Sequence, residues 1–268
     1  MARVSRLGVL GGTFDPIHIG HLLMGETAYD YLKLDLVLFV PAGVPPHKQA
    51  KAWHDPAFRL RLVQAAIAGN PHFQVSTVDL DRPAPHYSFE TVALLRHQYG
   101  LAPDELFFIM GSDSLAQLPT WHKPHLLVQE ARLAVAPRLE HPIDLDKLSA
   151  ELPALKERVI VLPMPVIAIS STTLRQMLAE GRSVRYWIPE AALQIIEAER
   201  AYTAGRPHGL SPRRSSSRQE LFTGSRSCWR FGLPPRPALT ALSWCWTLWL
   251  FWQGQQLCCA RARAFASR

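Results

Sequence analysis

Six short, almost unbroken apolar runs recur along the first part of the chain: RLGVLGG (6–12), DLVLFVP (35–41), FQVSTVDL (73–80), ELFFIMG (105–111), RLAVAP (132–137) and RVIVLPM (158–164). Runs this short and this continuously apolar predict strands covered on both faces. The stretches between them carry helical patterns, near 19–33, 56–69, 88–99, 123–130, 171–180 and 189–200. Strand and helix in regular alternation predict an α/β fold, a doubly wound parallel sheet. Ligands of such sheets bind beyond the carboxyl ends of the strands, so the residues just after each run are the first candidates for chemistry.

Two stretches break the alternation. PAGVPPHKQAKAWHDP (41–56) is a proline-rich connection longer than such folds need, and is expected to touch substrate or to move. The other is the C-terminal 65 residues, 204–268, rich in Arg, Ser, Pro, Trp and Cys and without helical or strand period. They hold ten Arg, no Lys and one acid, Glu220, so the chain's formal charge of +7 divides into +9 there and −2 over residues 1–203. The basic character therefore says nothing of a nucleic-acid partner for the core. All four cysteines (Cys228, Cys245, Cys258, Cys259) also lie in this extension. Its apolar run ALTALSWCWTLWLFW (238–252) has 15 residues, short of the roughly 20 a membrane-spanning helix requires. The composition resembles an extension read out of frame or past a lost stop, expected to be disordered and without a chemical role. MARVSRLGVLGG runs directly into a strand pattern with no signal-peptide core, so a cytoplasmic protein is expected, without a membrane partner.

The chemistry concentrates in GVLGGTFDPIHIGHLLMG (8–25). Gly11 and Gly12 end the first strand and let the backbone turn tightly and approach a ligand closely. Thr13 and Phe14 follow with backbone N–H groups that can face the strand end. Gly20 sits near the start of the next helix, whose free N–H groups and dipole make an anion site. His18 and His21, three apart, share one helical face and can donate to phosphate oxygens with partial or full positive charge near neutral pH. Metal ligation would want a third and fourth ligand, and neither HExxH nor a Cys/His cluster lies nearby. GxGxxG and the Walker lysine motif are absent too, so a phosphate chain would be held by other means.

GGTFDPIHIGH resembles the (T/S)xxxHxGH motif of the nucleotidylyltransferase superfamily, which includes the class I aminoacyl-tRNA synthetases with their HIGH sequence. The superfamily's second motif, SSTxxR, is matched by SSTTLR, Ser170 to Arg175. Ser170, Ser171 and Thr172 open a helix as a good N-cap run, and Arg175 lies one turn in, where a guanidinium can fork onto phosphate oxygens. Within the superfamily the chain is most similar to the bacterial nicotinate-nucleotide adenylyltransferases. VPAGVPPHK (40–48), PHYSFETVALLR (85–96), FIMGSDSLAQLPTWHKP (108–124) and VRYWIPEAALQII (184–196) carry that likeness, which spans about residues 4–200.

The resemblance implies a Rossmann-like nucleotidylyltransferase fold over residues 1–203 and transfer of the adenylyl group of ATP to nicotinate mononucleotide, giving nicotinate adenine dinucleotide and pyrophosphate. It implies that Gly11, Gly12, Thr13, Phe14, His18, His21, Gly111, Asp113, Ser170, Ser171, Thr172 and Arg175 hold ATP. Thr13, His18, His21 and Arg175 would stabilise the reacting phosphates. Trp121 would stack on the pyridinium ring, Ser88 and His122 would hold the nicotinate carboxylate, and Lys48 would meet the mononucleotide's phosphate. Asp113 would accept from a ribose hydroxyl or orient a metal-bound water. Mg2+ is expected as a bridge carried mainly by the ATP phosphates, with no protein-held metal. No covalent nucleophile motif is present, and the attacking phosphate oxygen is already an anion, so in-line attack on the α-phosphorus needs positioning and charge neutralisation only. A phosphopantetheine-type transferase shares both motifs; Trp121 and HYSFET favour the pyridine nucleotide. A synthetase fragment is disfavoured by the absence of a KMSKS-like partner. Oligomeric state has no signal.

Overall fold

In the computed structural model, which describes residues 3–43 and 54–203, Gly8 of the first strand pairs with Val37 on one side and Phe107 on the other. That strand, β1 (Leu7–Gly12), lies between β2 (Leu36–Pro41) and β4 (Leu106–Gly111) in an all-parallel sheet. The full order is β3-β2-β1-β4-β5-β6, with β3 at Phe73–Val75, β5 at Arg132–Ala136 and β6 at Val159–Val161. The doubly wound arrangement predicted from the apolar runs is the one observed. The expectations at 44–53, Lys48 among them, and at 204–268 lie outside the described residues.

Strand alternation sends neighbouring side chains to opposite faces. Leu10, Val37, Phe39, Phe107 and Ile109 pack on one face against α1 (Ile19–Leu32), α2 (Pro56–Ile67), α8 (Ser171–Ala179) and α9 (Glu190–Ala198). Val9, Leu38, Phe108, Met110 and Val135 pack on the other against α3 (Ser88–Tyr99), α5 (Pro124–Glu130), α6 (Leu145–Glu151) and α7 (Leu155–Arg158). Fully burying one such side chain contributes about 1.5–3 kcal/mol, so both faces explain why the runs read as continuously apolar.

Two predicted strands are shorter than their apolar runs. The run 73–80 pairs only over Phe73–Val75, because polar residues draw the following backbone into a turn: Leu80 and Asp81 N–H both donate to the Thr77 carbonyl, and Thr77 Oγ1 donates to Asp81 Oδ2 at 2.6 Å. The run 158–164 pairs over Val159–Val161 and ends where Pro163 and Pro165 remove ladder donors. A short helix, α4 (Ser112–Gln117), follows β4 directly and was not foreseen, nor were α6 and α7; none exceeds seven residues.

Candidate active site

Strand order reverses between β1 and β4, so their exits open on one crevice. The β1 exit is a tight loop. Phe14 takes a left-handed φ of 50°, and its ring turns inward to meet Phe39 at 5.9 Å and the edge of His21 at 5.0 Å. A Cβ on Gly12 would stand 2.9 Å from that ring, which is why the second glycine is needed. Phe14 can therefore serve a ligand through its backbone and not its ring. His18 is the N-cap of α1, and its backbone N–H donates to His21 Nδ1 at 3.2 Å. A ring nitrogen that accepts leaves the proton of the neutral imidazole on Nε2, so His21 presents an Nε2–H. The two rings stack with centroids 3.7 Å apart. His18 Nδ1 is buried and has no hydrogen-bond partner among the described residues.

The expected positive charge on these histidines is corrected. Burial, reinforced by the nearby Arg138 guanidinium, brings His18 down to about 3. Burial, the His18 ring and Arg138 hold His21 well below its ordinary value. Both are neutral donors at neutral pH. The expected set of free amides at the start of α1 is also smaller: Ile19 N–H donates to the Trp187 carbonyl and His21 N–H to the His18 carbonyl, each at 2.9 Å.

The second motif packs directly on the first. Ser170 caps α8, accepting from Thr173 N–H at 3.1 Å, and Ser171 Oγ donates to the Pro16 carbonyl at 2.9 Å. Arg175 reaches from α8 to the Asp15 carbonyl and to Thr172 Oγ1. A Cβ on Gly20 would lie 2.8 Å from Ile169 Cγ2 and 3.1 Å from the His18 ring, so the glycine of HIGH is the point where the two motifs touch. Ser171 Oγ thus joins the two motifs, while the Ser170 and Thr172 hydroxyls are engaged within the second. What the start of α8 can offer a ligand is its first-turn amides and the neighbouring guanidinium.

Gly11, Gly12 and Thr13 also line a cavity of about 440 Å³ whose other wall carries Ser88, Trp121 and His122. Ser88 opens α3. His122 lies on Tyr87 with ring centroids 4.2 Å apart, and Trp121 stands edge-on to Phe108 at 6.4 Å. Asp113, in the first turn of α4, lines the same cavity and pairs with Arg138 Nε at 3.0 Å. A Cβ on Gly111 would come within 2.3 Å of Asp113 Oδ1 and 2.9 Å of Arg138 Nε, so a side chain there would displace this pair.

Several residues of the site have no role expected from the sequence. Arg138 joins Asp113 to the Ile169 carbonyl (3.1 Å), tying the β4 exit to the approach of α8. It follows β5, and the rule that strand exits carry chemistry could have flagged it. Asp15 lies inside the first motif and is buried, as is Arg59, which donates to the Thr13 carbonyl at 2.7 Å. Tyr202 donates to Asp15 Oδ1 at 2.6 Å. Nothing in the sequence pattern connects residues so far apart.

Among the described residues no three His, Cys, Asp or Glu side chains gather as metal ligands. The donors at the crevice are imidazoles, hydroxyls and two carboxylates, Asp79 and Asp113, already paired with Arg82 and Arg138. This set does not fit a resident Mg2+, and a divalent cation would arrive as part of the nucleotide substrate.

A doubly wound sheet with imidazoles, a helix start and guanidinium groups at its switch point defines a nucleotide-binding α/β protein, and a model of the cytidylyltransferase-like family matches residues 9–177. A "probable nicotinate-nucleotide adenylyltransferase" of Thermomicrobium roseum is 46% identical over 199 residues, covering 74% of this chain and 92% of the relative. One of Roseiflexus sp. is 45% identical over 196 residues, 73% of this chain and 97% of its own. The chain belongs to the cytidylyltransferase-like family and, within it, to the nicotinate-nucleotide adenylyltransferases. Plasmodium falciparum nicotinic acid mononucleotide adenylyltransferase complexed with NaAD has the same fold, with a TM-score of 0.61 at 16% identity, covering 74% of this chain and 97% of that one.

Proposed function

We propose that the protein transfers the adenylyl group of ATP to nicotinate mononucleotide, releasing pyrophosphate and forming nicotinate adenine dinucleotide for NAD biosynthesis. The observation that carries this reading is the contact of the two motifs beside a cavity lined by Ser88, Trp121 and His122, in a chain of this family. ATP, carrying Mg2+ on its phosphates as part of the substrate, lies along the motif side. Gly11, Gly12 and the Phe14 backbone border it, and Gly111 and Asp113 face its ribose. His21 Nε2–H and His18 donate to the α and β phosphates together with Thr13. The first turn of α8 at Ser170, Ser171 and Thr172, with Arg175, meets the outer ones.

The mononucleotide occupies the cavity. Trp121 offers an aromatic surface to the pyridinium, worth about 0.5–2 kcal/mol. The α3 start at Ser88, with His122, receives the carboxylate, and Lys48 meets the phosphate. A phosphate oxygen of the mononucleotide attacks the α-phosphorus in line, its lone pair forming the new P–O bond as the bond to pyrophosphate breaks. No proton has to be removed, so neutral imidazoles suffice: they donate to charge that grows on the leaving group. Both substrates are small soluble molecules, and among the described residues no helix is long and apolar enough to cross a membrane. These points favour a cytoplasmic site of action.

Pyrophosphate release from ATP and Mg2+ with nicotinate mononucleotide or its amide tests the reading. Release with the acid in clear excess over the amide is the expected result, and no release with either rejects it.

A further inference from the structure

We propose that Tyr202 is a positioning residue for the triphosphate loop, fixing residues 13–16 through the carboxylate of Asp15 while Arg175 holds its carbonyl. The inference rests on the reading that this loop holds ATP.

Asp15 is held at both ends. Its carbonyl accepts from Arg175, and its carboxylate, only 1% exposed, accepts from the Tyr202 hydroxyl at 2.6 Å and faces His54 Nδ1 at 3.1 Å. The second carboxylate oxygen, Oδ2, is buried with no hydrogen-bond partner among the described residues. A carboxylate buried with half its acceptors unmatched is costly, and packing alone would favour an apolar residue there. The cost is intelligible if the carboxylate's task is to fix the loop on which it sits.

Other members of the same cluster also hold this loop. Arg59, itself 1% exposed, donates to the carbonyls of Thr13 (2.7 Å), Gly43 (3.1 Å) and His54 (3.0 Å). The Tyr202 ring rests against His54, with centroids 4.0 Å apart, and near Phe58. Burial and the hydrogen bond to Asp15 push the Tyr202 hydroxyl's pKa up, so it stays a donor at any ordinary pH. Arg200 takes the left-handed φ (51°) that ends α9, with Ala201 N–H donating to the Ile196 carbonyl. Tyr202 is itself left-handed at 65°, a conformation that costs a bulky side chain energy.

Loss of one hydrogen bond to a buried carboxylate loosens the loop without changing the packed volume. Tyr202 packs on the core of one sheet face and Trp121 on that of the other, and of residues 13–16 only Thr13 lines the mononucleotide's cavity, so ATP should respond more strongly than the mononucleotide. The test uses the full chain, wild type and Tyr202→Phe, with Arg61→Ala as a control that breaks the exposed Arg61–Glu199 pair between α2 and α9. Binding of ATP and of nicotinate mononucleotide is measured by calorimetry, alongside kcat, both KM values and Tm. Tyr202→Phe is expected to weaken ATP binding and raise the KM for ATP about tenfold, the size of one hydrogen bond to a charged group. The mononucleotide's Kd should stay within about twofold, a change too small to represent a lost contact. Arg61→Ala should leave both unchanged. Unchanged ATP binding, an equal loss for both substrates, or a fall in Tm alone would overturn the inference. If the wild type binds ATP yet releases no pyrophosphate with either mononucleotide, the catalytic reading fails, and the ATP affinity of Tyr202→Phe still decides this one. A wild type that binds no ATP overturns both.

Discussion

A histidine's usefulness to a phosphate chain depends on which of its nitrogens carries a proton. His21 Nδ1 accepts the His18 backbone N–H, and this fixes its donor on Nε2; burial and Arg138 keep the pair uncharged. Replacing His18 or His21 by Ala should lower kcat at least about 10²-fold while circular dichroism and Tm report an intact fold. Near-normal turnover in both variants would remove them from the chemistry. The depressed His18 value also has a thermodynamic consequence. Between its ordinary value of 6.5 and about 3 the unfolded chain binds a proton that the folded protein refuses. Stability must therefore fall as pH is lowered through this window, and a His18→Gln variant should show a shallower fall in urea denaturation at pH 7, 6 and 5. The HIGH letters were legible in the sequence, but not their charge state. Protonation is decided by burial and by Arg138, a residue the local pattern does not connect with them.

Local rules were most reliable where one element dictates its own form. The long helices fall where the periodicity placed them, α3 over Ser88–Tyr99 without a shift, and Ser170 caps α8 as its residue type predicts. Ser170→Ala should cost about 1 kcal/mol of stability by losing that cap, measurable by urea unfolding. The short helices α4, α6 and α7 carried no visible period because they span too few turns, and β3 and β6 end early where side chains and prolines compete for the ladder. Gly20 is expected only to open a helix start to an anion; its constraint is contact between elements, since a Cβ would strike Ile169 and crowd His18. Gly20→Ala is thus expected to destabilise by about 1–3 kcal/mol, as overpacking does, and to reduce activity more than Tm by prising the motifs apart. A variant with wild-type kcat would show that the contact yields easily.

At the scale of the molecule, the sheet order sets everything else: reversal between β1 and β4 opens the crevice, and α8 returns to cover it with the second motif. Charge, cysteine and tryptophan content all change after residue 203, and the expected boundary of the unit rests on that change. The T. roseum relative aligns over 92% of its own length while covering 74% of this chain. A chain ending at Thr203 is accordingly expected to keep wild-type kcat and Tm, whereas loss of either would give residues 204–268 a part in the fold. Ending at Ala201 should weaken ATP binding, because Tyr202 goes with the removed segment.

The claim on which all of this depends is that both motifs grip one triphosphate. A crystal structure with a non-hydrolysable ATP analogue tests it most directly. The phosphates should lie within hydrogen-bond reach of His21 Nε2 on one side and of the α8 first turn or Arg175 on the other. A triphosphate bound to one motif alone, or seated elsewhere on the protein, would contradict the account.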